Sequence, residues 1–342
     1  MLQERLKEVV RQHAPAPVLK AATAVYKKRI AMNAHKHDKK VFDAARFHDV
    51  EGSTLTQLEG KLTFHAHSLE KGLSHDQIRY QFGKTPLQEL SFTMLEYDKR
   101  GFPKDRSPYR NALSTLKAYW DCHLEAGEDT SEFETILGPT LLAEISETTS
   151  TLGGVFSLAV ESKMENQTKN FEQLFVERSS VREFDDRAVD PSRIFPAIQI
   201  AIKSPSVCNR QSSRVKIVTN EKLIGDLLKL QGGMSGYKLP PALLVVTADL
   251  APFLEPTERN QPFVDGGLFA MGLLLALEYE GLAACPLNAM MTAEKENSVL
   301  SLLNLSKNER VIVLIAVGEF PEKTKVPKSF RLPKEEILTI YS

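Results

Sequence analysis

The stretch Glu177-Arg178-Ser179-Ser180-Val181-Arg182-Glu183-Phe184 sets two arginines four residues apart with two hydroxyls between them. In a turn or a first helical turn, such a run gathers guanidinium forks, hydroxyls and backbone N–H groups around one anion, a phosphate above all. The alternative for the same residues is a solvated charged turn that begins a domain. Outward from it, Ser204-Pro205-Ser206-Val207-Cys208-Asn209-Arg210-Gln211 lies between an amphipathic segment and a strand-like run. Asp265-Gly266-Gly267 opens a strongly apolar helix that closes at Gly281, and Cys285-Pro286-Leu287-Asn288 follows as a loop.

The residues between these landmarks mix the two periodicities. Asp190-Pro191 begins a helical segment that Pro196 either kinks or delays to about Phe195. Arg214–Thr219 reads as a strand with Val215 and Ile217 on one side, and Glu221–Leu230 as a helix stopped by Gly232-Gly233. Ala242–Ala248 is apolar on both faces, the pattern of a buried strand. Asp265 is placed to cap a helix from Gly266 to Glu280, apolar nearly all round, which belongs in a core or a subunit interface. Val311–Val317 is a second buried strand, ended by Gly318. Strands alternating with helices predict an α+β or α/β domain.

The chain before this reads as helices, with no strand alternation to about Lys163. Leu2, Leu6, Val9 and Val10 have helical spacing that Pro15 and Pro17 interrupt, and a second helix is expected from about Val18 to Ala34. A third starts near Thr54, carries Phe64-His65-Ala66-His67-Ser68-Leu69-Glu70-Lys71 and stops at Gly72. Thr85-Pro86 and Ser107-Pro108 are cap-and-proline starts, with Gly101 and Gly127 as the matching ends. Glu144–Gly154, rich in Ser, Thr and Gly, is expected to be a linker or exposed loop. His67, Glu70 and Lys71 share one helix face. With His65 and His75 nearby a metal site is conceivable, but the spacing fits an exposed or interdomain polar face better.

Length bounds the answer at two ordinary domains: 342 residues, 42% hydrophobic and 25% charged. A net charge of −1 gives no general pull toward nucleic acid or an anionic membrane. Three cysteines, Cys122, Cys208 and Cys285, form neither a CxxC nor a disulfide framework, which favours a reducing compartment. Met1–Arg5 is charged and Gly266–Leu277 is short for a bilayer, so the expectation is a cytoplasmic protein without a membrane span.

The order of Arg178-x-Ser180-x-Arg182, the Ser204–Gln211 run and Pro286-Leu287-Asn288 resembles the nitroreductase family, over roughly Asn170 to the C-terminus. That resemblance implies an α+β fold, a mostly antiparallel sheet flanked by helices in an intertwined homodimer, behind an all-α N-terminal region. It divides the chain into residues 1–165, helical, and 166–342, binding FMN. It implies that Arg178, Ser180, Lys328 and Arg331 hold the flavin phosphate, with Ser179 as a neighbour that could substitute. Arg182 would stand beside the pyrimidine edge of the ring. Pro205, Ser206, Val207, Asn209 and Gln211 would reach the flavin from the partner subunit. Pro286, Leu287 and Asn288 would approach the flavin N5, with Gln231 as a further ring contact. Two departures from the family pattern affect local substrate contacts: Cys208 stands before Asn209, and Ser212-Ser213 replaces a proline and aromatic. Asn288, where an acidic residue is common, keeps the backbone donor but changes side-chain polarity. No catalytic side chain and no metal are implied, and no GxGxxG is present. NADH or NADPH would visit the flavin face and a small molecule would accept the hydride. The alternative is a flavin- or ligand-binding module without turnover, associated with polysaccharide biosynthesis, where a similar His-x-Leu-Glu-Lys-Gly stretch occurs.

Overall fold

A complete capping box starts the helix that matters most to the site. The Thr54 hydroxyl accepts from the Gln57 N–H, and the Gln57 side chain accepts from the Thr54 N–H. The computed structural model describes residues 15–46 and 53–341; the helix expected over Leu2–Val10 lies outside them. The N-terminal region comprises α1 (Ala16–Ala45), α2 (Leu55–Leu73), α3 (Lys84–Lys99), α4 (Ser107–Glu125) and α5 (Ser131–Glu147). Helix α1 takes Pro17 into its first turn and continues past Ala34 to Ala45, because nothing in that run breaks it. It buries no residue, and among the described residues its polar contacts with the rest of the chain include Lys27–Glu255, a two-bonded Asp38–Arg259 pair and a bond from Gln57 Nε2 to the Ala45 carbonyl. Helices α2 to α5 enclose one core, with Leu58, Leu62, Leu90, Met94, Tyr97, Leu116 and Ile145 fully buried.

Local signals misplace several boundaries. Helix α3 begins at Lys84 behind a left-handed Gly83, so Thr85 lies inside it and caps nothing. Ser107 likewise caps nothing; its hydroxyl donates to Glu336. The expected loop from Glu144 starts only after α5, a helix missing from the sequence reading because Gly138 (φ +70°) and Pro139 interrupt its pattern.

A strand, β1 (Val155–Ala159), follows where none was expected. It pairs antiparallel with β6 (Lys323–Pro327), from the far end of the chain. The main sheet is wholly antiparallel, in the order β2-β3-β5-β4. Its strands are β2 (Ser213–Val218), β3 (Ala242–Asp249), β4 (Leu282–Asn288) and β5 (Glu309–Glu319). The run read as a loop around Pro286 is therefore strand β4. Pro286 is tolerated there because β4 is the last strand of the sheet, where a missing N–H need break no ladder. Strand β5 runs through Gly318 rather than stopping at it. A side chain there would meet the Phe184 ring, with Cβ 2.6 Å from it.

Residues of β3 alternate between two cores, as the pleat requires. Ala242, Leu244 and Val246 face α7 (Phe195–Ala201) and α9 (Gln261–Tyr279). Leu243 and Val245 face α8 (Glu221–Gln231) and α10 (Ala293–Leu302). The result is an α+β domain with helices on both faces of the sheet, joined to an all-helical N-terminal region. Helix α9 begins at Gln261, so Asp265 is an internal residue and not its cap. With the turn before it, this helix is long and apolar enough to cross a membrane by length and composition, and 56% of that window is buried inside the protein. Phe263, Val264 and Leu268 on it stay exposed, so one chain does not enclose it.

Candidate functional site

Helix α6 (Phe171–Glu177) ends at Glu177, and Arg178 is its C-cap. The chain then leaves extended along the open edge of β4: Ser180 bridges Ala284 in parallel, and the Val181 N–H donates to the Ala284 carbonyl at 3.1 Å. Val181 is buried with Ala283, Leu158 and Val326, which ties this strip to both sheets. Side chains alternate on an extended strip, so Val181 anchors it while its neighbours are free for other work.

That strip gathers cations. The Cys285 thiol, fully buried on β4, is pushed up by burial and pulled back by Arg182, Arg178 and Lys71. Lys71 comes from the end of α2. Its ammonium is held below the usual lysine range by burial first and by Arg182 next. Burial likewise lowers Arg178, with repulsion from Arg331 adding to it and Glu278 opposing. None of Lys71, Arg178, Arg182 and Arg331 forms an ion pair with a carboxylate among the described residues. Glu278, whose charge reaches Arg178, is committed elsewhere: it pairs with Lys163 at 2.6 Å, and both side chains are 3% exposed. Arg178 Nη1 and Arg182 Nε are buried and have no hydrogen-bond partner among the described residues. Buried donors of this kind are costly unless an acceptor meets them, so the residues present fit an anionic group.

The remaining positions sort into three places. Ser179 and Ser180 belong to the strip; Ser179 Oγ donates to the Glu177 carbonyl, and the Ser180 carbonyl accepts from Arg182 Nη1 at 3.3 Å. Arg331 shares the neighbourhood of Arg178, whereas the Lys328 ammonium is bonded to the Thr151 carbonyl at 2.9 Å. Pro286, Leu287 and Asn288 lie on β4 itself, and Gln231 Nε2 donates to the Asn288 carbonyl at 3.1 Å, so these residues do meet. Pro205, Ser206, Val207, Asn209 and Gln211 do not join them within one chain. They precede β2, the opposite edge strand, three strand spacings or about 14 Å from β4.

The loop holding them is nonetheless tightly built. The Val207 N–H donates to both carboxylate oxygens of the buried Asp265 at 3.2 Å, and Ser206 Oγ accepts the Gln211 N–H. Cys208, Asn209 and Gln211 all have positive φ, at 47°, 53° and 49°. Three such residues in one loop are strained backbone of the kind found at binding sites.

Lys71 and Cys285 were not among the expected contacts. Helical periodicity placed Lys71 on a polar face with His67 and Glu70, and His67 does bond Glu70 at 3.2 Å. What Lys71 faces is set by tertiary docking. Tyr237, after α8, donates to the Lys71 carbonyl at 2.6 Å, meets Ser74 Oγ at 2.9 Å and stacks on His75 with ring centroids 3.7 Å apart.

The nitroreductase-family model matches residues 176–247 and 238–319. Among solved structures, a nitroreductase-family protein from Streptococcus pneumoniae is 24% identical, over 50% of this chain and 100% of that one, with a TM-score of 0.42. A nitroreductase-family protein from Clostridium difficile is 20% identical, over 51% and 99%, with a TM-score of 0.43. An FMN-dependent nitroreductase from Clostridium difficile is 18% identical, over 44% and 87%, with a TM-score of 0.39. No curated protein matches the chain.

Proposed function

We propose, from the match of the nitroreductase-family model to residues 176–247 and 238–319, that the chain is an FMN-dependent oxidoreductase using NADH or NADPH, active as a homodimer. Two buried guanidinium nitrogens without acceptors, Arg178 Nη1 and Arg182 Nε, carry the proposal. FMN, when bound, supplies the hydride chemistry, from the nicotinamide to a small-molecule acceptor.

The chain's own residues then have distinct tasks. Arg178 and Arg331 neutralise the phosphate, with Ser180 and Ser179 as hydroxyl donors. Lys328 would exchange its Thr151 bond for the phosphate or simply hold the Thr151–Gly154 loop against the site. Arg182 faces the edge of the ring that gains negative charge on reduction, and a buried cation there favours the reduced state. Pro286, Leu287 and Asn288 provide the β4 wall, and Gln231 fixes that wall through the Asn288 carbonyl. Ser206, Asn209 and Gln211 of the partner subunit would complete the pyrimidine contacts, their amides offering both donor and acceptor. The exposed apolar face of α9 and the separation of the two edge loops in one chain both support that dimer. The same proposal divides the chain into a helical region, 1–165, and a flavin domain, 166–342.

The purified protein should be yellow and release FMN on denaturation. Arg178→Ala should cost FMN binding about 1.5–3 kcal/mol, the worth of a charge-assisted hydrogen bond, read by quenching of flavin fluorescence. A colourless protein that takes up no added FMN overturns the proposal.

A further inference from the structure

Where α2 meets the flavin domain lies a cavity of about 420 Å³, lined on one side by Lys71, His75 and Arg79 and on the other by Gly232, Gly233 and Tyr237. Its size is that of a small-molecule site. It adjoins the cationic strip directly. Lys71 belongs to both, the charge of Arg182 acts on Lys71, His75 and Tyr237, and Gly232 follows the Gln231 that bonds Asn288. The wall is rigid. Tyr237 is fixed at its hydroxyl by the Lys71 carbonyl and Ser74, and at its ring by His75. The two sides also meet at Gly236, where an added Cβ would stand 3.2 Å from the His75 ring.

The charged lining is also one-signed. Lys71 and Arg79 supply it, His75 being held below the usual histidine range by burial first and then by Arg79, and no acidic residue lines the cavity among the described residues. Glu183 stands 3.7 Å from His75 Nδ1 and accepts the Asp76 N–H, and the Asp76 carboxylate also acts on His75 from outside the lining. A half-buried ammonium with no carboxylate partner is costly unless an anion arrives to offset it.

We propose that this cavity binds the substrate and selects small molecules bearing an oxyanion, which Lys71 and Arg79 hold against the flavin domain. Naming that ligand the substrate rests on the oxidoreductase proposal; the charge preference of the cavity does not. In this arrangement the helical region is a specificity element, contributing from α2 and the turn after it a cationic wall that the flavin domain does not supply.

The test is calorimetric titration of the full-length protein, as purified and saturated with FMN, at fixed ionic strength. The probes are 4-nitrobenzoate, 4-nitrophenyl phosphate and neutral 4-nitrobenzamide. At least one oxyanion should bind about tenfold or more tightly than the amide, the ratio one charge-assisted hydrogen bond supplies. The tighter of the two tells carboxylate from phosphate. Arg79→Gln, at an exposed position, and Lys71→Met should each reduce that ratio. Equal affinities for all three probes, or a preference untouched by both substitutions, overturns the inference. Failure to bind FMN would sink the oxidoreductase proposal while leaving this comparison intact.

Discussion

Lys163→Met would leave the Glu278 carboxylate buried without its cation. Both side chains are 3% exposed, and the Lys163 ammonium bonds Glu278 Oε1 and the Glu177 carbonyl, each at 2.6 Å. Asn166 Nδ2 donates to the Glu278 carbonyl at 2.6 Å and reaches its carboxylate at 3.4 Å. Burial pushes the Glu278 carboxyl up, and Lys163 is the largest influence pulling it back. Removing one partner of such a pair costs about 3–5 kcal/mol, while replacing both by apolar residues is often close to neutral. The double variant Lys163→Met/Glu278→Leu should therefore recover most of what the single variant loses. Urea unfolding followed by far-ultraviolet circular dichroism measures both. Trp120, the only tryptophan, sits against the helical core and reports that region separately by fluorescence. A single-variant loss below about 1 kcal/mol, the value of an exposed pair, would refute the reasoning. So would a double variant no more stable than the single one.

Alkaline pH should destabilise the protein through its buried phenols. Tyr97, Tyr119 and Tyr237 are each pushed up from 10.0 to about 12, by burial first. The unfolded chain loses these protons near pH 10 and the folded chain only near about 12. The unfolded state thus binds fewer protons across that window, and stability falls as pH rises through it. Unfolding free energies that stay flat across the window would contradict this. Gly318→Ala should cost about 1–3 kcal/mol by overpacking, because its Cβ would lie 2.6–2.7 Å from Phe184; an unchanged urea midpoint would show that Phe184 yields freely.

Elements whose signal is local were readable from the chain. Ala242–Ala248, apolar on both faces, is the buried central strand β3, and Gly232 ends α8 in the left-handed conformation at φ +84°. The helix expected from about Thr54 starts there, with Thr54 as its N-cap. Elements that depend on distant partners were not. Strand β1 has Phe156, Ser157 and Ala159 exposed, and its partner β6 arrives more than 160 residues later. Strand β4 is a short apolar run with a proline in it, and only its pairing with β5 makes it a strand. Asp265 looked like a cap because it precedes two glycines, yet α9 starts four residues earlier at Gln261, and its carboxylate serves the Val207 N–H instead.

The site divides in the same way. Arg178, Arg182 and Arg331 stood out as basic residues in particular runs; the fold sets Arg178 and Arg182 on the strip along the open edge of β4, with Arg331 near enough for its charge to act on Arg178. Lys71 could be assigned a helix face but not a neighbour, since the hydroxyl and ring of Tyr237 decide what that face meets. The Ser206–Gln211 loop sits at the other edge, so within one chain it stands apart from them, and only the proposed dimer would join it to the site.

The central claim is that these basic and amide side chains hold a flavin that turns over. Anaerobic mixing of the FMN-loaded protein with NADH, and separately with NADPH, tests it through the visible flavin absorbance. Rapid bleaching by at least one nicotinamide is the predicted result; a bound flavin that stays oxidised with both would contradict it.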